Sequence, residues 1–344
     1  MRASKVSLVL VILLLACAAT RAEPFDRRFM IAASKGVVRI EAGQGGSRYL
    51  VGTGTVTGPH EVVTAYHVVR GAGHVYVASG GSRNLAAVRR IDPVHDICVL
   101  SVEKLEARPL AVRPSGQLQV GEAVAAIGHS GGGGLSLTTG AVVQLHRFSG
   151  GEVIETTAPF TSGASGGPLL DSEGRLVGLL VFRGMNGTGH FYAAPVDWLR
   201  GDESPVLEET TPFWQEAEAL LPYFMRAALL HGESRWEELE KLTLAWGRDE
   251  PDNAEPEYVR AQIEAQRGEP KAAARFYARA LARDQRYALA WFGLTEAMLE
   301  LARADCARVA HARLAVLSPA LSQRALDAHP ELAGAIEVAA CELP

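Results

Sequence analysis

Thr161-Ser-Gly-Ala-Ser165-Gly-Gly-Pro-Leu-Leu170 is the stretch on which the reading of this chain turns. A serine hydroxyl is a weak nucleophile until a base takes its proton and something holds the negative oxygen that forms on the attacked group. Gly163, Gly166 and Gly167 meet the second need. Glycine permits a tight loop whose backbone N–H groups converge on one point, and such convergent donors are often the largest catalytic contribution. Taken alone, the run also reads as a glycine-rich turn with a surface serine. Its continuation into Pro168-Leu-Leu-Asp171 and Gly174-Arg-Leu-Val-Gly178 has the form of a hairpin, which supports the nucleophile reading.

Two earlier stretches supply the partners. Val62-Val-Thr-Ala-Tyr-His67 ends an apolar strand on a histidine, and Asp96 stands directly before Ile97-Cys-Val-Leu100. Strand alternation puts Asp96 and Cys98 on one face and His95 on the other. Asp96 is assigned to orient the imidazole of His67, and His67 to accept the Ser165 proton. The chain order His, Asp, Ser is that of chymotrypsin-type hydrolases, not of α/β-hydrolases or subtilisins.

The rest of the chain divides by composition. Its 344 residues are enough for two domains, 48% hydrophobic content is ordinary for a globular protein, and a net charge of −5 does not suggest a nucleic-acid partner. Residues 1–22 read as a signal peptide: Arg2 and Lys5, then an apolar run to Ala16, then Thr20-Arg-Ala22 as a cleavage site. That run is short for a membrane span. Leu14-Leu-Ala-Cys17 offers a second route, lipidation of Cys17, and a membrane partner is expected only in that case. Within a first domain of residues 23–200, residues from about 36 to 195 read as many short strands punctuated by glycine clusters, the pattern of a β-barrel or sandwich. Residues 201–212, with two prolines and four acids, read as a linker.

From 213 to 344 helical periodicity takes over. A weak repeat of 34 residues places Gly268, Ala273, Tyr277, Ala280 and Leu281, then Trp291, Leu294, Ala307 and Pro319, at tetratricopeptide-like spacings. A degenerate earlier unit runs from about Leu220 to Asp252, and a plain helical bundle is the alternative. Trp214, Trp236, Trp246, Tyr277 and Trp291 are read as packing residues. A tetratricopeptide-like array would serve a protein partner or self-association through its concave face.

Several stretches together resemble the trypsin-like protease domain of the bacterial HtrA/Deg family. They are Gly52-Thr-Gly-Thr-Val, Val63-Thr-Ala-Tyr-His-Val-Val-Arg-Gly-Ala, Asp92-Pro-Val-His-Asp-Ile-Cys-Val-Leu, Ala126-Ile-Gly-His, Thr138-Thr-Gly-Ala-Val, Gly163-Ala-Ser-Gly-Gly-Pro-Leu and Phe191-Tyr-Ala-Ala-Pro, about half the chain. The resemblance implies a pair of six-stranded antiparallel barrels with His67, Asp96 and Ser165 between them. It further implies oxyanion donors at the Gly163 and Ser165 N–H groups and polypeptide substrates. The expected whole is therefore an all-β double-barrel protease domain followed by an all-α tetratricopeptide-like domain, exported to the periplasm or outside the cell.

Three departures qualify the resemblance. Ala164 stands where digestive relatives carry an aspartate used in activation, and no PDZ-like β domain follows the barrels. The third lies in the segments expected to line the specificity pocket, Val181-Phe182-Arg183 and His190-Phe191-Tyr192. Here Phe182 or Tyr192 would narrow the pocket, which favours small apolar side chains or hinders cleavage. A protease-fold scaffold that does not cleave, or an esterase, therefore stays open.

No His-Glu-x-x-His or phosphate-loop Lys-Ser/Thr occurs, and no histidines have metal-like spacing, so neither a metal nor a cofactor is expected. Cys98 reads as a buried free thiol, and Cys306 and Cys341 as a disulfide in an oxidising compartment.

Overall fold

The computed structural model describes residues 24–43, 49–184, 191–200, 211–334 and 341. The proposed signal segment with Cys17, His190 and most of the proposed linker lie outside them. Strands β1 (Val37–Gly43), β2 (Tyr49–Gly58), β3 (Glu61–Ala65), β4 (His74–Ser79), β5 (Ser82–Asp92) and β6 (Ile97–Ser101) close into one barrel. A second contains β7 (Ala123–Gly128), β8 (Ser136–Phe148), β9 (Gly151–Thr156), β10 (Pro168–Asp171), β11 (Leu176–Arg183) and β12 (Phe191–Pro195). The orders β1-β2-β3-β6-β5-β4 and β7-β8-β9-β12-β11-β10 are one topology used twice, and every strand pair is antiparallel.

Alternation along each strand makes the two interiors. Val38, Ile40, Val56, Val62, Val77 and Leu100 fill the first, and Val124, Ala126, Ile154, Leu169, Val177 and Leu180 the second. Each aliphatic side chain buried this way contributes about 2 kcal/mol relative to exposure. Gly54 is required by closeness: a Cβ there would lie 2.6 Å from Val62 Cγ1 and 2.8 Å from Ile40 Cδ1. This packing is what the Gly52-Thr-Gly-Thr-Val56 pattern encodes.

Two helices belong to the barrels, α1 (Arg27–Ser34) and the single turn α2 (Tyr66–Val69). The C-terminal region carries α3 (Tyr223–Gly232), α4 (Trp236–Asp249), α5 (Glu255–Gln266), α6 (Pro270–Arg283), α7 (Ala288–Glu300), α8 (Ala304–Leu317) and α9 (Pro319–Ala328). The turns after α3, α5 and α7 each contain one left-handed residue, Ser234 (φ 57°), Gly268 (φ 72°) and Ala302 (φ 57°), at intervals of 34 residues. Small residues let α6, α7 and α8 meet closely: Ala273, Ala280, Ala290, Ala307 and Ala310 are fully buried. Gly293 lies so near the Tyr277 ring that a methyl group would collide with it. Cys306 of α8 is joined to Cys341 by a disulfide, and Cys98 is a buried free thiol, its acidity suppressed by burial to a pKa of about 12.

The helical region shares a core with the second barrel. Leu179, Val181, Phe182 and Tyr192 pack in one apolar cluster with Phe213, Phe224, Leu239, Trp246 and Ile263. A buried polar network crosses the same contact. His146 of β8 lies between Glu155 Oε2 (2.9 Å) of β9 and Glu255 Oε2 (2.8 Å) of α5, with its ring stacked on Phe224 at 4.3 Å. Gln144 donates to Glu255 (2.9 Å) and to the Tyr287 hydroxyl (3.0 Å). Burial opposes protonation of His146, but the flanking Glu255 and Glu155 outweigh it and raise its pKa to about 9.

Candidate active site

Strand register brings Asp96 to His67. β3 and β6 pair Thr64 with Cys98 and Ala65 with Ile97. The next residues outward are therefore Tyr66 and Asp96, joined by Tyr66 N–H to Asp96 C=O (3.0 Å). The turn ends on Asp96 in the left-handed region, φ 60°, a conformation that costs a non-glycine residue about 1–2 kcal/mol. The fully buried carboxylate accepts three hydrogen bonds. The His67 backbone N–H donates to Oδ1 (2.8 Å), and His67 Nδ1–H (2.7 Å) and Trp214 Nε1–H (3.0 Å) donate to Oδ2. With Nδ1 tied to a carboxylate, the neutral imidazole presents Nε2 as its acceptor.

The Ser165 loop is held by the opposite barrel through buried threonines. Thr53 N–H donates to Ser165 C=O (2.9 Å), Thr53 Oγ1 to Gly163 C=O (2.7 Å) and Thr55 Oγ1 to Gly166 C=O (3.0 Å). Thr64 Oγ1 in turn donates to Thr53 C=O (2.7 Å). Gly166 (φ 82°) is pressed against Thr53, Thr64 and Ala65, so that any Cβ would collide with them. This contact fixes the Ser165 loop against Ala65, two residues before His67. From the other side, a Cβ on Gly128 would lie 2.7 Å from Ala164 Cα, and Gly131 N–H donates to Ser162 C=O (2.7 Å). In the loop, the N–H groups of Ala164, Gly166 and Gly167 bond to Thr161, Leu180 and Ala164 carbonyls. Among the described residues those of Gly163 and Ser165 have no acceptor, nor does a hydrogen bond join Ser165 Oγ to His67 Nε2.

Val181, Phe182 and Tyr192, expected to line the specificity pocket, are 2%, 5% and 4% exposed. Phe182 stacks on Tyr192 (4.6 Å) and on Trp214 (5.4 Å), and the Trp214 and His67 rings meet in a T-shape with centroids 5.2 Å apart. Sequence alone reads Trp214 as a packing residue and does not single out Thr53 or Thr55. Two prolines and an acidic run ahead of an aromatic pair are the only signal at Trp214. The threonines lie within the quoted Gly52-Thr-Gly-Thr-Val stretch, whose every second residue the structure directs at the loop.

A second chain of hydrogen bonds involves the same residue types. His95 Nδ1 is 2.7 Å from Asp92 Oδ2, and His95 Nε2 is 2.8 Å from Ser149 Oγ at the β8–β9 turn. Although burial raises the Asp92 pKa, the His95 hydrogen bond and charge hold it below the ordinary carboxylate value. With Trp198 packed at a tilt of 33° on His95, ring centroids 4.2 Å apart, and its Nε1–H donating to Ser149 C=O (3.2 Å), this cluster clasps the two barrels together. Among the described residues no group of three or more His, Cys, Asp or Glu side chains could hold a metal ion.

The trypsin-like peptidase domain family matches residues 52–179. The chain is 36% identical over 154 residues to Protease Do-like 1, chloroplastic, of Arabidopsis thaliana, 41% of this chain and 35% of that protein. It is 34% identical over 124 residues to a probable periplasmic serine endoprotease, DegP-like, of Chlamydia trachomatis, 34% of this chain and 25% of that protein. Among solved structures, the active form of the Rv3671c protease from M. tuberculosis aligns with a TM-score of 0.47 at 27% identity, covering 54% of this chain and 86% of the other. The chain spans about a third of the length of the curated relatives it matches. His67, Asp96 and Ser165 all fall inside the matched segment, so that the part of the chain similar to trypsin-like peptidase domains contains all three.

Proposed function

We propose that the chain is an exported serine endopeptidase. Ser165 Oγ attacks the substrate carbonyl while His67 Nε2 takes its proton. The oxyanion is held by Gly163 and Ser165 N–H. Collapse of the tetrahedral intermediate leaves an acyl-serine as the leaving amine takes the proton from His67. Water, deprotonated by the same imidazole, then releases the acid. The observation that carries this reading is the His67–Asp96 pair, 2.7 Å between Nδ1 and Oδ2, together with a Ser165 loop in which the Gly163 and Ser165 N–H groups have no acceptor among the described residues. Polypeptides are the proposed substrates, and periplasmic or extracellular space the proposed location, in keeping with the DegP-like name of one relative. Residues 223–317 are proposed to be three tetratricopeptide-like units, supported by left-handed turns at 34-residue intervals. They would serve contact with a protein partner or a second copy.

The test is labelling of the full chain with a fluorophosphonate, which modifies only a base-activated serine. Labelling should occur in the wild type and in Ser149→Ala, and be lost in Ser165→Ala and His67→Ala. Persistence in Ser165→Ala would assign the reactivity elsewhere and end the proposal. A second reading, a protease-fold scaffold, is favoured by the missing Ser165–His67 hydrogen bond. Apo sites often tighten only on substrate binding, and an unlabelled wild type would turn the choice toward the scaffold.

A further inference from the structure

We infer that Trp214, which lies outside the matched peptidase segment, is a positioning residue for the His67–Asp96 pair, so that the active site is completed only by the start of the C-terminal region. The inference rests on the proposed serine-hydrolase function. Three independent contacts fix the residue. Its indole N–H is the third donor to the buried Asp96 carboxylate, at 3.0 Å. Its ring meets the His67 imidazole in a T-shape, with centroids 5.2 Å apart and an interplanar angle of 86°. Its face lies on Phe182 at 5.4 Å and 13°. The main chain is pinned at the same place, since Phe213 N–H donates to Val94 C=O (3.1 Å), two residues before Asp96. Phe213 itself is buried against Phe148 (5.0 Å) and Phe182 (5.7 Å) of the second barrel. The 211–215 segment is thus wedged between the turn that carries Asp96 and the aromatic face of β11.

The chemical consequence comes from the acceptor set. A carboxylate enclosed in protein needs donors on both oxygens to stay ionised and fixed. His67 supplies one bond to each oxygen, and both come from the residue that Asp96 has to hold. Trp214 supplies the one bond on the carboxylate that does not depend on His67. It therefore keeps Oδ2 in place while the imidazole gains and loses its proton, and its ring, packed perpendicular to the imidazole, limits the imidazole's rotation. Without it the pair retains its residues and loses its fixed geometry, which lowers the rate of the chemical step and leaves reagent binding unchanged.

The test uses the full chain and two substitutions. Trp214→Phe keeps a ring on Phe182 and removes the N–H, whereas Trp214→Ala removes both. Fluorophosphonate inactivation is measured over a range of reagent concentrations to separate the limiting rate, kinact, from the half-saturating concentration, KI. Loss of one charge-assisted hydrogen bond should lower kinact about tenfold in Trp214→Phe, with KI and the melting temperature close to wild type. Trp214→Ala should fall further. A Trp214→Phe kinact equal to wild type would overturn the inference while leaving the function of Ser165 intact, and a loss confined to KI or to thermal stability would do the same. A second readout does not need activity. The chain has five tryptophans, so the indole N–H region of a ¹H–¹⁵N spectrum can be assigned by substitution. The cross-peak absent in Trp214→Phe should be displaced in Asp96→Asn. An unmoved peak would overturn the contact itself, even if the wild type proves unreactive.

Discussion

The two barrels share one strand order and differ in what their outer faces do. The first leaves apolar side chains in solvent: Leu85 is 63% exposed, Val88 43%, Leu50 42% and Tyr49 41%. The second covers the corresponding kind of surface with helices, so that Phe182 and Tyr192 are about as buried as interior residues, and it adds the Glu155–His146–Glu255 network to the covered face. Topology therefore fixes where strands run and says little about which faces meet water. That is decided by side chains such as His146 and Phe224, and by the helices that the chain forms after its second barrel.

Substitutions can break or sharpen this contrast, and the largest effect should be chemical. Each barrel gives the proposed site something the other cannot: the first His67 and Asp96, the second Ser165. His67→Ala and Ser165→Ala should each lower peptide-bond hydrolysis by roughly 10⁴-fold or more, and the double variant little further, because residues of one unit are not additive. Losses that multiply in the double variant would mean that the barrels act separately.

Next is the covered face. His146→Ala leaves Glu155 and Glu255 buried without their cation and should cost about 3–5 kcal/mol in chemical denaturation. Leu85→Ser on the open face of the first barrel should change stability by no more than about 0.5 kcal/mol. The sign with pH is set by the raised pKa of His146, about 9 against an ordinary value near 6.5. Its stabilising contribution is complete below about pH 6.5 and is lost as pH rises through about 9. The wild-type melting temperature should fall between pH 7 and pH 10, and the fall should be shallower in His146→Gln. Equal slopes would show that His146 is not charged in the folded protein.

A smaller effect tests the seam between the barrels. Gly166→Ala places a methyl group against Thr53, Thr64 and Ala65 at a positive φ. It should destabilise by about 1–3 kcal/mol and slow fluorophosphonate labelling as the Ser165 loop moves away from His67. The smallest lies in the helices: Ala302→Gly relieves a left-handed alanine and should stabilise by about 0.5–1 kcal/mol, seen as a rise in melting temperature.

Much of the fold and of the site is legible in the sequence, for identifiable reasons. The all-β first domain, the glycine loop at Ser165 and the Cys306–Cys341 disulfide come from local patterns: short strands between glycine clusters, glycines at forced turns and cysteines in a chain read as exported; the pair of barrels comes from the family resemblance. Asp96 can be picked out by its place before an apolar strand, although its left-handed backbone cannot. Contacts between distant segments leave no local mark. Nothing around His146 announces a partner 109 residues away in Glu255, and nothing around Trp214 announces Asp96, 118 residues earlier. The apolar pattern of β11 shows that Phe182 needs cover without showing what covers it.

The left-handed turns at Ser234, Gly268 and Ala302 share one backbone and carry three different residues. Only the middle turn has the glycine that makes such a conformation easy; the other two hold the same backbone with residues that resist it, at about 1 kcal/mol each. The rhythm of the chain persists where the letter does not. A search that scores residue identity passes over the outer two turns, whereas one that scores the handedness of the chain would count them.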